Sequence, residues 1–160
     1  MPAVRAQSSV EKILVKINLL APGATVELGL SPATTIHIEG GFTMSGFSIG
    51  SYYNDVDAQL FASGSWRKYY NLSAREAKGK NTAGNSGNYF GVRAIYYGKD
   101  VDDENEDDSN IFFPAAVWGF QRTYKSGWNM GIELGLGYQF EKYDDSIAPV
   151  LSFRLGYRIR

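Results

Sequence analysis

The sequence predicts an all-β fold: an eight-stranded antiparallel transmembrane up-and-down β-barrel with its apolar face turned outward. Three observations indicate this fold. Apolar and polar residues alternate through long stretches, which is the period-2 pattern of β-strands. The clearest stretches exceed the roughly 5–6 residues of a typical soluble strand and match the ~9–11 residues that a tilted strand needs to cross a bilayer. Aromatic residues gather near the predicted strand ends, as in the interfacial girdles of membrane barrels.

The stretch from Trp128 to Glu141 carries the pattern most clearly. Its opposite face mixes glycine with single charges, such as Gly135 beside Glu133. A solvated strand face would instead carry Thr, Lys and Glu, because glycine weakens a strand and packs nothing. A narrow eight-stranded lumen needs small residues beside charges that can pair. We therefore expect the apolar face to contact lipid; on this strand it consists of Met130, Ile132, Leu134, Leu136, Tyr138 and Phe140.

Length and composition limit the classes of protein to which this chain can belong. A chain of 160 residues predicts one domain, here 11–160, preceded by a 1–10 segment that is either a flexible tail or a signal-peptide remnant. Hydrophobic residues make up 44%, yet no run approaches the roughly 18 of a transmembrane helix. A net charge of −1 argues against nucleic acid as a partner, and the absence of cysteine excludes disulfides and thiol chemistry. Nothing in the sequence calls for a cofactor.

Eight strands follow in order, separated by turn and loop signals. Pro22-Gly23 and the segment from Ser31 to Thr34 are tight turns, and Ser45 to Val56 is a loop. A long polar connection, Asn71 to Ser86, contains a capping box at Ser73-Ala74-Arg75-Glu76 that predicts one helical turn. The predicted strands are Glu11–Ala21, Ala24–Leu30, Ile36–Met44, Asp57–Tyr70, Gly87–Gly98, Ile111–Tyr124, Trp128–Glu141 and Val150–Arg160.

The strand count and the aromatic pattern predict an orientation. An even number of strands leaves both termini on one side of the membrane, which we expect to be the periplasmic side. The connection at 71–86 then lies on the periplasmic side too, where it is long for a turn. The expected outer girdle is Tyr96, Tyr97, Phe112, Phe113, Tyr138 and Phe140, and the inner one is Trp66, Tyr69, Tyr70, Tyr124, Trp128 and Tyr157. The expected lipid-facing residues are Ile13, Val15, Ile17, Ile36, Ile38, Leu60, Val92, Trp118, Ile132, Leu134, Leu136, Leu151, Phe153 and Leu155.

Charged residues on the opposite strand faces predict a lumen filled by ion pairs. Because an unpaired buried charge is strongly destabilising, residues of both signs in a narrow lumen should form a network. A narrow ion path is the alternative, and eight strands leave no room for a wide pore. The predicted lumen residues are Lys16, Glu27, His37, Glu39, Arg67, Arg93, Glu133, Arg154 and Arg158.

Two features raise the question of chemistry. His37 and Glu39 share a strand face and, with a serine, would suggest a lipid hydrolase, but no Gly-x-Ser-x-Gly motif or second histidine is present. We expect instead a lumen histidine paired with a carboxylate. The acidic run offers weak metal candidates in Asp100, Asp102, Asp103 and Glu104. It lacks the glycine and final glutamate of an EF-hand, so we expect a solvated surface loop, with divalent cations bridging it to lipopolysaccharide as the alternative.

The alternating pattern resembles the small eight-stranded outer-membrane barrels of Gram-negative bacteria, of OmpA/OmpX-like architecture. More narrowly, Trp66-Arg67-Lys68-Tyr69-Tyr70-Asn71-Leu72, Lys78-Gly79-Lys80 and Ser86-Gly87-Asn88-Tyr89 resemble an uncharacterised family of bacterial outer-membrane β-barrel proteins. Such chains usually end on an aromatic residue, whereas here Ile159 stands in that place. The resemblance implies an outer-membrane location and contacts with lipid and lipopolysaccharide.

The predicted role is structural or interaction-based, without catalysis, and includes that of an accessory subunit of a larger outer-membrane complex with a membrane-protein partner. Three alternatives stay open. A soluble lipocalin-like barrel would line an apolar pocket with Leu134, Leu136, Phe153 and Leu155. A lipid-modifying enzyme, a hydrolase or acyltransferase, would use His37. A narrow channel would conduct ions through the lumen.

Overall fold

Eight antiparallel strands close into a single barrel. The structure, a computed structural model, describes residues 9–45, 57–100, 111–140 and 146–159. Each strand pairs with its neighbours in the sequence and the last pairs with the first, so the topology is up-and-down, and the predicted all-β barrel is confirmed. The strands are β1 (Ile13–Asn18), β2 (Gly23–Ser31), β3 (Thr34–Ser45), β4 (Asp57–Tyr69), β5 (Asn88–Asp100), β6 (Ile111–Thr123), β7 (Trp128–Gln139) and β8 (Ser146–Arg158).

The two ends of the barrel differ in their connections. At the end where β1 begins, here the proximal end, lie the turn at 32–33, the turn at 124–127 and the 70–87 connection with helix α1 (Leu72–Ala77). At the opposite, distal end lies the turn at 19–22. The connections 46–56, 101–110 and 141–145 also join strands at the distal end and lie outside the described residues.

The largest departures from the predicted strand bounds are at the end of β1 and at the start of β8. β1 ends at Asn18, so that Leu19 and Leu20 belong to the distal turn. β8 begins at Ser146 and includes Pro149, because its early residues pair with β7 from Gln139 onward. A proline signals a strand end in a sequence, but an open sheet edge tolerates it. The β1–β2 hairpin is therefore short, while β3 to β8 each span twelve or thirteen residues.

The helical turn in the long connection is present, but the predicted capping box is wrong. Ser73 lies inside α1, and the N-cap residue is Asn71, whose side chain makes no capping hydrogen bond. Asn71 Oδ1 instead accepts a hydrogen bond from the main-chain N–H of Asn88 at 2.7 Å. The helix is thus anchored to the start of β5. No helix in the described ranges is long and apolar enough to cross a membrane.

Candidate functional site in the barrel interior

The predicted lumen residues all lie on the inner face of the barrel wall. Each strand alternates between the two faces, so residues of one parity meet inside a narrow lumen. Arg154 and Arg158 are partly buried there. The buried members are Lys16, Glu27, His37, Glu39, Arg67, Arg93 and Glu133.

Glu133 is the centre of the interior and has no exposed surface. Its Oε1 accepts from Arg93 Nη1 at 2.8 Å and from Arg154 Nη2 at 3.2 Å. Its Oε2 accepts from the Tyr89 hydroxyl at 2.9 Å and from Arg67 Nη2 at 3.2 Å. One carboxylate on β7 therefore joins side chains from β4, β5 and β8.

Glu39, Arg93, Glu133 and Arg154 form a closed ring of alternating charges. Glu39 Oε2 lies 3.1 Å from Arg154 Nε and 3.4 Å from Arg93 Nη2. Both arginines also reach Glu133, so each group in the ring is paired twice. Paired charges with additional hydrogen bonds are the arrangement in which buried ions are tolerated. The ring spans the lumen from β3 to β8.

A second cluster surrounds Glu27 nearer the proximal end. Glu27 Oε1 accepts from the Tyr69 hydroxyl at 2.7 Å and from Thr35 Oγ1 at 2.8 Å. Lys16 Nζ lies 3.8 Å from Glu27 Oε2 and donates to Gln121 Oε1 at 2.7 Å. The two carboxylate clusters together place four cations and three carboxylates inside the barrel.

The 70–87 connection closes the proximal end. Gln121 Nε2 donates to the Gly84 carbonyl at 3.0 Å, and Thr123 Oγ1 donates to the same oxygen at 2.9 Å. Asn85 Oδ1 accepts from the Glu11 main-chain N–H at 2.7 Å. Val10, expected in the flexible tail, is buried against Leu72, Tyr69 and Tyr89. The long connection is thus a cap whose partners are the barrel wall and the start of the chain.

Two tyrosines of the interior escaped the sequence reasoning about function. Tyr69 was expected in the inner girdle, but it is buried in the lumen with its ring centroid 5.3 Å from that of Tyr89. The Arg67 guanidinium lies 4.5 Å from the centre of the Tyr89 ring, a cation–π distance. Strand alternation could have placed both tyrosines, because residues at an even spacing on a strand share a face. Tyr69 is two residues from Arg67, and Tyr89 is four from Arg93.

The assignment of two residues to the outer girdle is also wrong. Phe113 is buried and packs with Ile95, Val117 and Val150 in an apolar cluster, and Tyr97 packs against that cluster from the inside. The other predicted girdle residues are exposed on the outer face: Tyr96, Phe112, Tyr138 and Phe140 at the distal end, and Trp66, Tyr70, Tyr124, Trp128 and Tyr157 at the proximal end.

His37 does not form the expected pair with a carboxylate. The side chain is fully buried, and neither ring nitrogen has a hydrogen-bond partner among the described residues. Ser65 lies directly across from His37 on β4, and its hydroxyl is likewise without a partner. A nucleophile and its base need a hydrogen bond between them and access for substrate. Neither is present at this histidine.

The predicted lipid-facing residues lie on the outer face, and none of them is buried. Leu151 and Leu136 have 78% and 64% of their surface exposed. Leu134, Leu136 and Phe153 are exposed and Leu155 is partly exposed, so these four side chains lie on the outer face and not inside the barrel, where a lipocalin-like pocket would need them. The others are Ile13, Val15, Ile17, Ile36, Ile38, Leu60, Val92, Trp118, Ile132 and Leu151.

The metal candidates lie beyond what the structure describes. Asp102, Asp103 and Glu104 fall outside the described residues, and Asp100 ends β5 without a described side chain. Within the described ranges, no three His, Asp or Glu side chains are grouped so that they could hold a metal ion.

Comparison with known proteins gives no relative: no family model, curated protein or solved structure matches the chain.

Proposed function

We propose that this chain is an outer-membrane β-barrel with a structural or interaction role, acting as an accessory subunit of a larger outer-membrane complex. The observation that carries the proposal is the division of polarity across the wall. Leu136 and Leu151 are exposed, whereas the charges of Arg67 and Glu133 are almost completely buried. Soluble monomers rarely expose contiguous apolar patches of more than a few hundred Å². Lipid is the solvent in which such a surface is stable.

The aromatic residues of the outer face also support the proposal that lipid surrounds the barrel. Phe112 and Phe140 stack at the distal end with ring centroids 6.1 Å apart. At the proximal end, Trp118 Nε1 donates to the Tyr70 hydroxyl at 2.9 Å. Aromatic rings with a polar edge favour the headgroup region on both sides of a bilayer. The partners in that environment are outer-membrane phospholipid and lipopolysaccharide.

The interior favours a structural role over conduction or catalysis. The ring of Glu39, Arg93, Glu133 and Arg154 crosses the lumen, and the cap at 70–87 covers the proximal mouth. An ion would have to separate charges that are each paired twice. The fully buried His37 has no hydrogen bond to a nucleophile or an acid.

A concave patch on the outer face supports an interaction role. Gly64 on β4, Ala94 on β5 and Pro114 on β6 lie in register, and Trp66 and Leu136 flank them. A Cβ added to Gly64 would meet nothing within 4 Å, so the barrel's own packing does not need this glycine. Small residues let two membrane-embedded surfaces approach closely. We assign this patch to the membrane-protein partner.

The first test asks whether the chain is a membrane barrel. The protein is produced without detergent, recovered, refolded in detergent, and run on SDS gels with and without boiling. The proposal expects an insoluble chain that refolds to a heat-modifiable band. A monomer soluble in plain buffer overturns it.

The second test addresses the partner patch. Gly64→Leu fills the concave patch, and Ala24→Leu makes a matched change on the exposed outer face of β2. In native outer membranes, chemical cross-linking and native gels report the size of the complex. We expect Gly64→Leu to shift the protein to its monomeric size while Ala24→Leu does not. A monomeric wild-type protein, or equal behaviour of the two variants, contradicts the accessory role.

A further inference from the structure

Among the residues that the structure describes, the short β1–β2 hairpin leaves a gap in the distal half of the barrel wall. β8 pairs with β1 only at Gly156, Tyr157 and Arg158, and the last bond of this seam runs from the Leu19 N–H to the Leu155 carbonyl at 2.9 Å. On the other side of the hairpin, β2 begins at Gly23. Within the described ranges, the β8 residues 146–154 pair with β7 alone. The distal part of β8 is therefore an open sheet edge.

The alternation of main-chain groups shows which residues face this gap. The Leu155 carbonyl and the Ile159 N–H point to β1, so the main-chain groups of Leu151 and Phe153 point the same way. Pro149 has this parity too, and it has no N–H to leave unsatisfied. Unsatisfied main-chain groups do not occur against lipid tails, only where they line a polar cavity or contact protein.

A cavity of about 300 Å³ lies at this edge. It is lined by Val150, Ser152 and Arg154 and also by Leu151 and Phe153, which point to opposite faces of the same strand. Glu39, Phe61 and Phe113, which also line it, lie on the inner face of β3, β4 and β6. The cavity therefore extends from the lumen to the open edge of β8.

The cavity has an apolar wall and a cationic floor. Phe61, Ile95 and Phe113 are buried side chains of the wall. Arg93 and Arg154 form the floor together with the single carboxylate of Glu39. Arg93 is only 6% exposed, and its Nε–H has no hydrogen-bond partner among the described residues. Both guanidiniums also pair with Glu133 behind the floor, so the excess positive charge belongs to the two interior clusters together, which hold four cations and three carboxylates.

The gap lies on the lipid side of the distal girdle. Tyr138 of that girdle pairs with Ile147, whereas Leu151 pairs with Leu134, further toward the middle of the wall. The rim is apolar, with Leu20 54% and Leu151 78% exposed. A molecule that uses the gap therefore arrives from the acyl layer.

We infer that the cavity is a binding site for a single-chain anionic amphiphile taken from the membrane, an inference that rests on the proposed outer-membrane location. Its carboxylate or phosphate head lies against Arg93 and Arg154, and its acyl chain lies along Phe113 and leaves past Leu151. The volume is at the lower limit of ligand pockets, which suits one chain and not two.

The binding experiment uses the refolded barrel in phosphatidylcholine nanodiscs with radiolabelled dodecanoate as the probe. We expect saturable binding of one dodecanoate per barrel above empty nanodiscs. Dodecanol and dodecyltrimethylammonium should compete at least about tenfold less well than unlabelled dodecanoate, because only an anion pairs with the floor. Lysophosphatidate is the second anionic competitor. Stronger competition by dodecanoate identifies a carboxylate head, and stronger competition by lysophosphatidate identifies a phosphate head.

Matched arginine variants test the floor. Arg93→Gln should weaken dodecanoate binding at least about tenfold, the loss expected for one charge-assisted contact. Arg67→Gln removes a cation from the same network, but Arg67 does not line the cavity, so its binding should stay within a few-fold of wild type. Equal loss in both variants overturns the inference. Both variants are first shown to give a heat-modifiable band.

Photolabelling of the wild-type protein gives a result that does not depend on a variant folding. A dodecanoate with a diazirine at the chain end should label the peptides that contain Leu20 and residues 149–155. Labels spread evenly around the outer face, or dodecanoate bound no better than to empty nanodiscs, overturn the inference. In either case a heat-modifiable barrel leaves the proposed function standing, whereas a chain soluble without detergent overturns both.

Discussion

Replacement of the central carboxylate tests whether the interior ion pairs hold the barrel together. Glu133→Gln keeps the size of the side chain and removes its charge. In the wild type, the guanidiniums of Arg67, Arg93 and Arg154 donate to the Glu133 carboxylate. The glutamine would turn its own N–H₂ group, which is also a donor, toward some of these guanidiniums. In the two carboxylate clusters, four cations face three carboxylates in the wild type and would face two in the variant.

The expected loss of stability is large. Removal of one partner from a buried ion pair costs about 3–5 kcal/mol, because the remaining charge stays buried without compensation. Glu133 serves three guanidiniums, and Glu39 can take up only Arg93 and Arg154. We therefore expect about 4 kcal/mol, which is a fall of roughly 2 M in the urea midpoint for an m-value near 2 kcal/mol/M.

The assay is equilibrium unfolding in urea from phosphatidylcholine vesicles, followed by tryptophan fluorescence. Glu76→Gln, on α1 and partly exposed, is the matched control and should stay within ~0.5 kcal/mol of wild type. A Glu133→Gln midpoint equal to that of this control would show that the interior pairs do not stabilise the barrel.

Further predictions concern the wall, the cap and the lumen. Leu134→Arg places a charge on the outer face and should destabilise by about 2–4 kcal/mol in vesicle urea titrations, while Leu134→Met should be close to neutral. Gly135→Ala should abolish the heat-modifiable band, because its Cβ would collide with the Ala116 carbonyl oxygen, whereas Gly64→Ala should keep it. Gly84→Ala, at φ +60° and against the Thr123 side chain, should increase hydrogen exchange in the 70–87 cap without changing the free energy of unfolding in urea by more than about 1 kcal/mol. In planar bilayers the wild-type protein should give no discrete conductance steps, and regular steps would refute the blocked lumen.

Strand periodicity predicted the faces of the barrel well. The stretch from Trp128 is a strand to Gln139, close to its predicted end at Glu141. The charged residues of one parity all lie inside, because a period of two assigns each side chain to a face regardless of its partner. The girdle errors came from giving proximity to a strand end more weight than parity, as Phe113 shows.

Periodicity does not encode which residues meet across the lumen. Glu39 and Arg154 are 115 residues apart, and only the register of the closed barrel brings them to 3.1 Å. The alternation also does not show where β1 ends, since Leu19 continues the alternating pattern and yet lies in the turn. Pro149 led to a predicted start of β8 that is too late. A proline is tolerated at this position because the neighbouring strand β1 is too short to pair with it, which the sequence of β8 does not show. The gap and its cavity follow from these two features, so strand periodicity did not predict them.

The contacts of Glu11 set an order on assembly. Its main-chain N–H and its carboxylate bind the cap at Asn85 and Gly84, which are 74 and 73 residues away. The same carboxylate accepts from Arg158, 147 residues away. Contacts of such sequence separation form late, because the chain must first close large loops. The proximal mouth therefore seals only after the opening, central and closing parts of the chain are all in place, and a barrel arrested before β8 pairs with β1 would leave this polar mouth exposed.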